Sequence, residues 1–73
     1  MRSYDFHGVP AEEALAKIEQ VIGEVRMKGE TEVVEFITGH GVIKYEARDL
    51  LEQRYGLHIT TDVSSPTIRV IVE

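Results

Sequence analysis

The sequence of 73 residues contains no cysteine, few prolines and no long apolar run. Without cysteine there is no disulfide to tie a small fold together, no thiolate metal ligand and no thiol nucleophile. A chain free of cysteine is compatible with a cytoplasmic setting, which is the expected localisation. No stretch approaches the roughly 18 consecutive apolar residues of a membrane span, and the N-terminal residues show no signal-peptide pattern, so no membrane partner is expected. Positive charge is scarce too: eight Lys and Arg stand against thirteen Asp and Glu, for a net charge of −5. Nucleic-acid binders usually carry a basic footprint, so a polyanion site here has to be a local patch. Several enzyme signatures are missing: there is no His-Glu-x-x-His helix, no P-loop and no GxGxxG. Ser3, Ser64 and Ser65 lie in no nucleophile-elbow context.

What is present describes one folded domain spanning residues 1–73. Hydrophobic content of 42% and charged content of 29% suit a globular chain, and the length allows only one core. A core of that size typically nets only ~3–5 kcal/mol.

Ser3 to His7 (SYDFH) alternates as a first strand, with Asp5 and His7 on the same side. After Gly8-Val9-Pro10, Ala11, Ala14, Leu15, Ile18, Val21, Ile22 and Val25 recur at helical spacing. Pro10, Glu12 and Glu13 suit the start of this helix, and Arg26, Lys28 and Gly29 suit its end. Glu32 to Thr38 (EVVEFIT) reads as a second strand. A second helix follows from Val42 to Tyr55, with Ile43, Ala47, Leu50 and Leu51 as its buried stripe and Gly56 as its stop. Leu57 to Val63 (LHITTDV) and Thr67 to Val72 (TIRVIV) form the last two strands, separated by Ser64-Ser65-Pro66.

The order β-α-β-α-β-β predicts an α/β fold: a two-layer sandwich with a four-stranded mixed sheet and both helices on one face. The two strand–helix–strand crossovers are expected to be right-handed. The last strand pairs antiparallel with the third; being more apolar, it belongs in the sheet interior, with LHITTDV at an edge.

In such sheets ligands gather beyond the carboxyl ends of the parallel strands. The first strand delivers Asp5 and His7 there, and the second delivers Thr38-Gly39-His40-Gly41 directly into a helix. A helix N-terminus presents unpaired N–H groups and partial positive charge, and glycines let an anion approach the backbone. Lys44 and Arg48, one turn apart, extend the positive region. The expectation is a phosphate cradle beside two imidazoles and a carboxylate.

The run YDFHG before one helix and ITGHG before a second resembles the small MutS-related (Smr) domain family, over nearly the whole chain. That family carries Leu-Asp-x-His and then His-Gly-x-Gly or Thr-Gly-x-Gly. Asp5 and His7 match the first motif, with Tyr4 in the leucine place. Thr38, Gly39, His40 and Gly41 match the second. The loop after Gly41 is shorter than in many members. The resemblance implies a fold like the C-terminal domain of translation initiation factor three. It also implies binding of DNA or RNA and, in some members, nicking endonuclease activity. In a hydrolytic version Asp5, His7 and His40 are the candidate catalytic residues. Thr38, Gly39, His40, Gly41, Lys44 and Arg48 are the candidate phosphate-binding residues. A divalent metal ion is the one cofactor this chemistry leaves open.

Blander roles compete at each position. Asp5 and His7 could satisfy backbone groups at a strand end, and Gly39 and Gly41 could serve only a turn with positive φ. His40 could be an exposed loop histidine, and Lys44 and Arg48 a solvated face pairing with Glu52 and Asp49. Arg69 is expected to pair with Glu35 or Asp5 on the open sheet face. The alternative function is a non-catalytic module that binds a protein partner or forms a homodimer through that face, where Val33 or Ile37 and Ile71 would need cover.

Overall fold

Local chemistry decides where each element starts and stops. A computed structural model describes all residues, Met1–Glu73. It contains β1 (Arg2–Asp5), α1 (Ala11–Lys28), β2 (Glu32–Ile37), α2 (Val42–Asp49), β3 (His58–Ile59) and β4 (Thr67–Val72). Pro10 precedes α1, and Gly29 closes it in the left-handed region at φ 72°, donating its N–H to Arg26. Only glycine adopts that conformation without strain.

The larger departures from the expectation fall in three elements. β1 ends at Asp5 rather than His7, because the Asp5 carboxylate accepts the His7 N–H at 2.8 Å and turns the chain. The second helix is not uniformly α: residues 50–54 form a wide π turn, with the Tyr55 N–H reaching the Leu50 carbonyl at 3.1 Å. The LHITTDV strand shrinks to His58–Ile59. The chain leaves the sheet at Asp62, whose carboxylate accepts the Ser64 N–H at 3.1 Å.

The sheet order is β1-β2-β4-β3. β1 and β2 are parallel, while β4 pairs antiparallel with both β2 and β3. The apolar last strand is therefore internal and LHITTDV is an edge, as its alternation suggests. Both β-α-β crossovers step across the sheet in one direction, so both helices cover one face.

That face holds the core. Phe6, Val34, Phe36, Ile68, Val70 and Val72 project from the sheet onto Ala14, Ile18, Val21, Ile22 and Val25 of α1 and Ala47 of α2. Phe36 stacks on both Tyr4 and Phe6, with ring centroids 5.8 and 5.7 Å away. On the uncovered face Arg69 pairs with Glu35 at 2.8 Å, and the Ser3 hydroxyl donates to the same carboxylate at 3.1 Å. The Arg69 hydrogen bond, then that of Ser3, holds the Glu35 carboxyl below its ordinary range. No helix is long and apolar enough to cross a membrane.

Candidate functional site

Parallel pairing of β1 and β2 sets Asp5 beside Ile37, so the two strands release their chains next to each other. Asp5, His7, Ile37, Thr38 and Gly39 line a small cleft of about 200 Å³ there. His7 is exposed at its rim. The Asp5 carboxylate accepts the His7 backbone N–H, so its recorded role is to hold the turn on which the imidazole sits. A larger cleft of about 640 Å³ lies between β1 and α1, lined by Tyr4, Val9 and Lys17 among others.

The loop after β2 is tied down from below. Thr38 and Gly39 both donate their N–H groups to the Pro66 carbonyl, at 3.0 and 2.9 Å. Those two amides are committed to the fold and do not face a ligand, contrary to the simplest cradle. Gly39 has φ 72°, whereas Gly41 has φ −89°. The expected turn role with positive φ thus holds for Gly39 and not for Gly41. A Cβ on Gly41 would meet nothing within 4 Å, so neither backbone strain nor crowding calls for glycine at that position.

Gly41 is the N-cap of α2, and no side chain caps the helix there. The N–H groups of residues 40–43 find no acceptor within the protein; the next one, of Lys44, donates to the Gly41 carbonyl at 3.2 Å. These free donors point out of the helix start, where the helix dipole adds partial positive charge.

Lys44 departs furthest from expectation. It is not on a solvated face: only 3% of the residue is exposed, and it is the one charged residue in the interior. It belongs to none of the ion pairs. Its ammonium lies 3.5 Å from Nδ1 of His40, back toward the loop, and 5.8 Å from the centre of the Tyr45 ring. Isolated charges are costly to bury and are normally paired. A buried lysine without a carboxylate beside unpaired amides is the arrangement an anion would complete.

Three arginines are engaged in ion pairs of their own. Arg48 faces Glu52 at 3.8 Å, as expected, and its Nη1 is buried without a partner. Arg2 bridges Glu24 and Glu32, and Arg54 pairs with Glu19. His40 does not line the cleft of Asp5 and His7. The site is therefore two adjoining parts: the cleft with His7, and the helix start with His40 and Lys44. No group of three or more His, Asp or Glu side chains is arranged to hold a metal ion, so Asp5, His7 and His40 are not a preformed three-ligand centre.

Tyr45 was not singled out by the sequence, yet it is 61% exposed next to Lys44. Its place off the Ile43–Ala47–Leu51 stripe was the available signal. Compared with models of known families, the chain matches none. No curated protein and no solved structure matches it either.

Proposed function

We propose that the chain is an Smr-like domain that binds nucleic acid through its phosphodiester backbone at the carboxyl ends of β1 and β2. One observation carries the reading: Lys44 is buried without a carboxylate under a helix start whose amides at residues 40–43 are unpaired. Gly41 supports it, because the absence of a side chain there keeps those amides open to an outside anion. The motif match at Asp5, His7, Thr38, Gly39, His40 and Gly41 supplies the family side of the proposal.

In this account a phosphate oxygen accepts from the N–H groups at the start of α2 and from the Lys44 ammonium. His7, across the adjoining cleft, is the proton carrier for members that cleave the bound phosphodiester; positioned general acid–base groups typically contribute about 10²–10⁴-fold. Asp5 acts through His7, by fixing the turn that presents it. The test is binding and nicking in parallel. Single-stranded RNA and plasmid DNA should bind with affinity that falls as salt rises, and Lys44→Met should weaken that binding. His7→Ala should abolish nicking with an unchanged circular dichroism spectrum. A His7→Ala protein that nicks as well as the parent places the activity elsewhere.

A second reading uses the uncovered sheet face. Val33 is 37% exposed there, opposite Ile71, with Ile37 further along the same strand. Docking of a partner or a second copy on this face predicts concentration-dependent sedimentation and no salt-sensitive nucleic-acid binding.

A further inference from the structure

Tyr45 takes no part in the core, and its recorded contact is the Lys44 ammonium over its ring. The other two tyrosines, Tyr4 and Tyr55, pack against the core, whereas Tyr45 does not and stands 61% exposed. Val42, one turn before it, is 64% exposed, so the first turns of α2 offer an apolar outer surface ending in an aromatic face. The Lys44 ammonium lies 5.8 Å from the centre of that ring. A phosphate held by Lys44 would thus have an open aromatic surface within the span of its own nucleotide.

The charges around this end of the molecule narrow the ligand further. β3 runs parallel to β1 and β2, since β4 is antiparallel to both β2 and β3. The chain leaving β3 therefore joins the loops at this end, as the Pro66 contact with Thr38 and Gly39 records. Asp5, Glu12 and Glu13 lie there with Asp62, against Lys17, in the same cleft as Asp5 and Glu13, the buried Lys44 beside His40, and the imidazole of His7. An extended duplex, whose affinity comes from many phosphate contacts, would meet more carboxylates than cations. A single phosphate in the Lys44 niche avoids them.

We infer that the ligand is single-stranded nucleic acid, one phosphate held at the start of α2 by Lys44 and the free amides, and the adjoining unpaired base stacked on Tyr45. This rests on the phosphate reading of the same helix start and adds the base. Stacking on an aromatic side chain is open to an unpaired base and closed to one inside a duplex. It tolerates any base, since each has a π-face.

The experiment measures binding of the full chain to four labelled probes of equal length: single-stranded DNA, single-stranded RNA, an abasic strand and duplex DNA. The parent should bind one of the single strands about tenfold or more tighter than the abasic strand or the duplex. Tyr45→Ala should bring that strand down to the abasic level, while Tyr45→Phe keeps the preference. Lys44→Met should weaken all four, and the logarithmic salt slope should match one or two phosphates. An unchanged preference in Tyr45→Ala, or duplex binding equal to single-strand binding, overturns the inference and leaves the phosphate reading standing. Failure of the parent to bind any probe overturns both.

Discussion

The Lys44 ammonium and Nδ1 of His40 are 3.5 Å apart at the mouth of α2, and no carboxylate pairs with either side chain. The contact is a hydrogen bond only with Lys44 donating and the ring nitrogen accepting. It leaves the lysine charge uncompensated in a position that is 3% exposed. A fold of this size tolerates such a residue at a cost, which is why it points to function.

The first prediction concerns that cost. Lys44→Met keeps the aliphatic stem and removes the charge. It should leave stability unchanged or raise it by about 1 kcal/mol, because replacing buried charge with apolar volume is often neutral or stabilising. Urea unfolding of both proteins checks this. A clear fall in the urea midpoint would mean that the ammonium supports the fold rather than a ligand.

Gly39 and Gly41 separate structural from functional glycine. Gly39→Ala forces a Cβ into the left-handed region at φ 72° and should cost ~1–2 kcal/mol. Gly41→Ala meets no neighbour and adopts an ordinary extended conformation, so its stability should stay within about 1 kcal/mol of the parent. Its phosphate binding should weaken, because a methyl at the N-cap adds bulk at the start of α2 where the account places the anion. Thermal melts beside phosphate titrations distinguish the two.

Much of this was legible beforehand, and the exceptions have physical causes. The apolar alternation of Thr67–Val72 placed β4 inside the sheet, and the spacing of Ala14, Ile18, Val21 and Val25 marked the buried face of α1. Strand parity put Arg69 on the open face within reach of Glu35 or Asp5, and the β2–β4 register makes Glu35 the partner. The extent of β3 was not legible, because the Asp62 carboxylate accepts the Ser64 N–H and the Thr61 hydroxyl oxygen accepts the Arg69 N–H, which overrides alternation in Thr60–Val63. Burial of Lys44 was hidden as well: helical spacing puts it with Ala47 and Leu51, but charge argues for solvent. The pattern was right and the residue type misled. Likewise nothing local to Thr38-Gly39 announces that Pro66, far along the chain, takes both of their amides.

Stability should depend on acid through Glu35. The Arg69 and Ser3 hydrogen bonds depress its carboxyl in the folded state. Its contribution is therefore complete above the unfolded carboxylate range near ~4.3 and disappears as pH falls through the lower folded value. Urea midpoints measured from pH 7 down to about 3 should fall in the acid limb, and Glu35→Gln should fall less steeply there. Glu24, depressed by Arg2 and then Gln20, adds to the same limb with the same sign.

Phe36 is the packing centre, fully buried between the rings of Tyr4 and Phe6. Phe36→Ala should cost about 3–5 kcal/mol, comparable to the whole stability of so small a domain, and leave the protein largely unfolded at 25 °C by near-ultraviolet circular dichroism. Retention of a cooperative native melt would show that the core is shared more evenly than this stack implies.

The most direct measurement is an amide-resolved NMR titration of the full chain with inorganic phosphate and then with a short single strand. The N–H resonances of Gly41, Val42 and Ile43 should move most, with the Tyr45 ring following only when bases are present. Those of Thr38 and Gly39 should stay in place on Pro66. Shifts centred on Val33 and Ile71, or an unmoved start of α2 at saturating strand, would contradict the account.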